Sequence, residues 1–289
     1  MKPLFATLVT LLALNLSLAA QEASVKQGFK EEKDISYHSE EFLKTASDYA
    51  KGITKLDIYY PEGKKGFGTL IWFHGGGLTG GKRENPKDLL REDIAIVSVG
   101  YRCSPEAEHP AYLEDAAAAT AWVIKNIDKY GGDPNKVFVS GHSAGGYLSA
   151  MIGMDPRWLA AYGVSNKQLA GIIPVSGQMT THFTVKKLRG DTGDQFRPII
   201  DEFAPMYYVS ADLPPICLML GDRRIEFKSR VEENEFMASS LRTLGHQETY
   251  FYELEGRDHG TVTQGMRPFV WQFIRETMRK IKAESKANP

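Results

Sequence analysis

Cysteine is scarce in this chain, with 2 among 289 residues, which excludes a scaffold built on disulfides. An excess of either charge is also missing. Lys+Arg number 35 against 36 Asp+Glu, for a formal net charge of −1. Without a basic surplus there is nothing to neutralise a phosphate backbone, so nucleic acid is not an expected partner. The sequence contains no H-E-x-x-H, no paired-cysteine motif and no acidic calcium loop, and therefore gives no reason to expect a metal or other cofactor. Beyond the first twenty residues no apolar run approaches the roughly 20 residues that cross a bilayer, so stable membrane insertion is not expected. Repeats, low-complexity linkers and breaks in composition are absent too, which makes residues 21–289 one expected domain. What is present is ordinary for a folded globular chain: 42% hydrophobic and 25% charged residues.

The first residues read as an export signal. Lys2 supplies the positive start, an apolar run extends from Leu4 to Leu18, and Ser17-Leu18-Ala19 sets small residues where a signal peptidase cuts. Residues 1–20 are thus expected to be removed and the mature protein to be periplasmic or secreted. Export would permit a disulfide, but Cys217 lies in an apolar run and Cys103 in a loop after another. Both are expected to be small buried side chains.

Short apolar runs punctuate the rest. Leu56–Tyr59, Leu70–Phe73, Ile94–Val99, Val137–Val139, Ile172–Val175 and Ile216–Leu220 suit strands, most of them buried on both faces of a mainly parallel sheet. Thr249–Leu254 is a further strand, and residues 21–47 are expected to supply an edge strand and a loop. Between the strands the pattern turns helical: Leu113–Tyr130 is alanine-rich and stops at Gly131, and Phe269, Phe273, Ile274 and Met278 stripe a final helix. Strands alternating with helices mean an α/β architecture with helices on both faces of the sheet.

Two glycine-rich turns carry the chemistry. Gly141-His142-Ser143-Ala144-Gly145-Gly146 lies between the Val137–Ser140 strand and a helical segment. A serine at such a sharp turn is held in strained backbone with its Oγ projecting from the sheet, and glycines flank it because a Cβ there would collide. His74-Gly75-Gly76-Gly77 follows the Leu70–Phe73 strand and can turn its amides inward. The amides of Gly76, Gly77 and Ala144 are the expected oxyanion hole. Gly76 to Lys82 also fits the start of a phosphate-binding loop, but Arg83 stands where Ser or Thr must hold magnesium, so that reading is rejected. A nucleophilic serine needs a base, and His259, in a loop after the last strand, is the histidine late enough for the order serine, acid, histidine. His142 and His74 are expected to support the turns. The acid should end a strand between Ser143 and His259. Asp222, directly after the Ile216–Leu220 run, is the first candidate and Glu226 the second. Asp115 is expected to be a structural carboxylate.

Taken together, HGGG (His74–Gly77), Tyr101-Arg102-Cys103-Ser104-Pro105-Glu106, GGDPNKV (Gly131–Val137), GHSAGG (Gly141–Gly146) and Asp258-His259-Gly260 resemble the α/β-hydrolases of the carboxylesterase and hormone-sensitive-lipase-like type. Exported bacterial esterases of the feruloyl and acetylxylan esterase group are especially similar. The resemblance implies a sheet of about eight strands, a Ser-acid-His triad and no cofactor. It implies a small-molecule or polysaccharide-linked ester as substrate. A peptidase on the same fold and a non-catalytic binding protein are the rivals. One position departs from the group: many relatives carry the acid where this chain has Arg224.

Overall fold

The computed structural model describes residues 28–91 and 93–287; the segment read as an export signal lies outside them. Eight strands form one sheet: β1 (Phe29–Ser36), β2 (Lys55–Pro61), β3 (Phe67–Phe73), β4 (Ile94–Val99), β5 (Gly132–His142), β6 (Gly171–Val175), β7 (Ile216–Gly221) and β8 (Thr249–Leu254). Their order across the sheet is β1-β2-β4-β3-β5-β6-β7-β8. β1–β2 and β2–β4 pair antiparallel, and every later pair is parallel. The expected strands are all present, with β5 longer than its apolar core because Gly132 already pairs with Phe67.

Alternation along the strands assigns side chains to two layers. Ile71, Phe73, Val137, Val139, Leu218 and Leu220 face one core, while Leu70, Trp72, Phe138, Cys217 and Met219 face the other. Both faces are apolar because both are covered. Helices α3 (Ala111–Asn126), α4 (Ala144–Met154) and α7 (Arg230–Thr243) cover the first, and α9 (Arg267–Ala287) covers the second through Phe273 and Ile274. Each fully buried large apolar side chain contributes about 1.5–3 kcal/mol of transfer free energy. The alanines of α3, from Ala116 to Ala119, are buried; their small side chains let the helix backbone come close to its neighbours. Helix α3 continues into a 3-10 turn and stops at Gly131 in the left-handed conformation, φ 96°.

Residues 40–45, within the expected loop, and residues 48–53, just past it, are helical instead. They form two short helices, α1 (Glu40–Thr45) and α2 (Asp48–Ile53), capped by the Ser39 and Ser47 hydroxyls and carrying acidic residues in their first turns. Helices of six residues are too short to show a period in the sequence. The remaining short helices are α5 (Pro156–Ala160), α6 (Phe183–Leu188) and α8 (Val262–Gly265). Asp115 is fully buried and clamps Arg102 through both oxygens, with His38 on the same carboxylate, which is the structural role expected of it. Cys103 and Cys217 are buried free thiols. No helix among the described residues is long and apolar enough to cross a membrane.

Candidate active site

The chemistry gathers at the C-terminal ends of the central strands. Strand β5 ends at His142, and Ser143 makes the turn into α4 with φ 56° and ψ −113°, a conformation L-residues avoid. The turn holds because the chain is forced through it. The Ser143 amide donates to the Val175 carbonyl at 2.9 Å. A Cβ on Gly145 would stand 2.0 Å from the Phe73 carbonyl oxygen and one on Gly141 2.5 Å from the same atom. Glycine is thus required on both sides of the serine, as the motif suggested.

His259 comes from the loop between β8 and α8. Its Nε2 lies 2.9 Å from Ser143 Oγ, and its Nδ1 lies 2.6 Å from Glu226 Oε1. A carboxylate only accepts, so Nδ1 carries the proton, Nε2 is the acceptor, and the serine hydroxyl donates to it. Burial alone would raise the Glu226 carboxyl. Hydrogen bonds from His259, the Ser176 hydroxyl and the amides of Phe227 and Gly221 outweigh it and hold the group at about 2.

The first candidate for the acid is therefore corrected. Asp222 does not reach His259. Its Oδ1 accepts from the backbone N–H of Arg224 at 3.0 Å and from Arg224 Nε at 2.8 Å, and its Oδ2 takes the other arm of that guanidinium and the Gly256 amide. These bonds, led by the Arg224 side chain, hold its carboxyl well below the usual carboxylate range. The guanidinium of Arg224 thus pins Asp222 away from the histidine. The chain then folds back: the amides of Ile225 and Glu226 both donate to the Asp222 carbonyl, which delivers Glu226, the second candidate, to the histidine. Asp222 becomes a tie between loops, since its own amide also donates to the Arg257 carbonyl at 2.7 Å.

The HGGG turn is organised by its carbonyls. Those of His74, Gly75, Gly76 and Gly77 accept from Tyr101 Oη, His74 Nδ1, the Thr79 amide and Thr184 Oγ1 respectively. A peptide's N–H points opposite to its C=O, so fixing these oxygens also fixes the amides that follow them. Among the described residues the amides of Gly76, Gly77 and Ala144 donate to no protein acceptor. His74 is buried and stacks on Tyr101 at 4.2 Å; burial lowers its pKa and keeps the ring neutral. It supports the turn, as expected.

Sequence reasoning missed Ser176 and Thr184. Neither belongs to a motif, and each is placed by the sheet or by the excursion after β6 rather than by a local pattern. That excursion carries α6. A cavity of about 420 Å³ opens beside it, lined among others by Thr79, Phe183, Thr184, Leu188 and Gln195. Phe183, Phe196 and Phe227 form a row of edge-to-face rings that ends 5.3 Å from the His259 ring.

The same architecture occurs in solved structures. Esterase B from Lactobacillus rhamnosis superimposes with a TM-score of 0.67 over 97% of each chain at 22% identity. The chain has the α/β-hydrolase fold. A truncated carbohydrate esterase from gut microbiota shares this fold with a TM-score of 0.66 over 85% of this chain and 96% of that one, at 19% identity. The BD-FAE family matches residues 56–159, from β2 through the serine turn to α5. Among curated relatives, the esterase LipC of Mycobacterium tuberculosis is 26% identical over 65% of this chain and 50% of its own length. The carboxylesterase NlhH of the same organism is 34% identical over 37% of this chain and 36% of its own. The chain spans about half the length of LipC and of the probable carboxylic ester hydrolase LipM.

Proposed function

We propose that this α/β-hydrolase is a serine carboxylesterase. The observation that carries the reading is the hydrogen-bonded line from Ser143 through His259 to Glu226. In the proposed reaction Ser143 Oγ attacks the acyl carbon while His259 Nε2 takes its proton. Glu226 holds the imidazole in the required tautomer and stabilises the imidazolium. The amides of Gly76, Gly77 and Ala144 receive the oxyanion, each worth about 2.7–4 kcal/mol of barrier. His259 then protonates the leaving alcohol; water, deprotonated by the same nitrogen, attacks the acyl carbon, and the imidazolium returns that proton to Ser143 Oγ as the acid leaves. Relatives named as esterases support the ester over the peptide bond.

The cavity beside α6 adjoins the HGGG turn through Thr184, whose hydroxyl donates to the Gly77 carbonyl, and it is at the small end of the range for ligand sites. This supports short acyl esters as substrates. A structural neighbour described as a carbohydrate esterase supports acyl groups on polysaccharides as the natural esters, in keeping with the export expected from the sequence of residues 1–20.

Ser143→Ala tests the chemistry. It should fold normally, lose about 10³–10⁶-fold in kcat and no longer react with a fluorophosphonate; full hydrolysis by a pure mutant would refute the mechanism. A series of p-nitrophenyl esters tests the substrate. The expected result is highest kcat/KM at acetyl to butyryl, and a steady rise toward palmitoyl would overturn the short-chain reading.

A further inference from the structure

His142 precedes the serine and takes no part in the proton relay, yet its ring is aimed at the base. Its Nε2 lies 2.6 Å from the main-chain carbonyl oxygen of His259, and the two rings are 4.8 Å apart. A carbonyl can only accept, so Nε2 carries the proton and donates. We propose that His142 is a positioning residue, holding the backbone of His259 so that the imidazole meets Ser143 in register. The proposal rests on the serine-esterase reading of the same site.

His259 stands in a loop whose neighbours Asp258 and Gly260 are exposed, and such loops are the low-stability parts of a fold. His142 is the last residue of β5 and pairs in register with Val175 near the middle of the sheet. Two consecutive residues therefore grip His259 at both ends: His142 takes its carbonyl and Ser143 takes its Nε2. Any slack in the backbone is transmitted to the imidazole tip, where a displacement of about 1 Å can cost about 10²-fold in rate. Burial and the neighbouring His259 lower the pKa of His142. It therefore stays neutral and sets no cation beside the imidazolium that forms in the reaction.

Three replacements separate this role from packing. The glutamine amide nitrogen can reach the place of Nε2, whereas that of asparagine stops near the level of Nδ1, and leucine has no donor. The expected result is a fall in kcat of about 10- to 10²-fold for His142→Leu and His142→Asn, with KM nearly unchanged, and recovery of most of the loss in His142→Gln. The rate of fluorophosphonate labelling should follow the same order, and melting temperatures should not. Wild-type kcat in His142→Leu, or a His142→Gln variant no better than His142→Asn, would overturn the proposal. Ser143→Ala run alongside keeps the two readings apart. If Ser143→Ala retains activity, the esterase mechanism itself fails; if it is inactive while His142→Leu turns over normally, only the positioning role fails.

Discussion

At the scale of single residues, the two carboxylates after β7 are separated by what each touches. Both are strongly acidic, so acidity does not distinguish them. Glu226 gives one oxygen to His259, while Asp222 spends both on Arg224 and Gly256. Glu226→Gln should therefore cost about 10⁴-fold in kcat, the effect of neutralising a triad carboxylate. Asp222→Asn loosens only the tie between the two loops and should cost no more than about 10²-fold. Steady-state kinetics on the two variants check this, and the reverse order would restore Asp222 as the acid. That Ser143 and His259 would meet was legible in the sequence because a strand, a glycine-bounded turn and chain order announce them. The acid was narrowed to two residues and no further. What decides between them is a fold-back turn set by Arg224, and neither hydropathy nor spacing encodes which way a five-residue loop turns.

At the scale of elements, the serine turn is a joint between β5 and α4 that works only if β3 can pass close by. The Phe73 carbonyl leaves no room for a side chain at position 145. Gly145→Ala should force β3 and α4 apart, with loss of most activity and a lower melting temperature; a variant of wild-type activity and stability would show that the joint tolerates the shift. The strands that flank this joint were readable because burial on both faces makes them continuous apolar runs. The helices α1 and α2 were not, since serine caps and acidic first turns hold them rather than an apolar face. The course of residues 180–211 was equally hidden. Its anchors are single contacts, such as Thr184 on the Gly77 carbonyl and Thr181 on Asp201, that follow from the fold rather than precede it.

For the whole molecule, acid should be the destabilising direction. His74 and His142 have lowered pKa values and the fully buried His182 lies well below 6.5, in each case through burial. A histidine whose folded pKa is depressed contributes stability above about 6.5 that is lost as pH falls toward its folded value. Glu226 adds a second window with the same sign. Its pKa drops from 4.5 unfolded to about 2 folded, so it contributes about 3 kcal/mol above pH 4.5 that fades as pH falls toward 2. Urea midpoints should decline from pH 7 downward, and Glu226→Gln should flatten the decline below pH 4.5. A stability that rises on acidification would contradict both assignments.

The position of β8 has a consequence for how this molecule fails. Ser143 follows a strand flanked on both sides, by β3 and β6, whereas His259 follows β8, which has β7 on one side only and is largely half-buried. Edge segments open by local unfolding at lower free energy than the interior. Catalytic competence therefore depends on the least protected strand beside the site, while the fold as a whole rests on the centre. In rising urea, turnover should disappear before the circular dichroism of the sheet and helices changes, and amides of β8 should exchange with solvent faster than those of β5. The protein would then pass through a folded, silent state in which Ser143 is still poised and His259 has swung away.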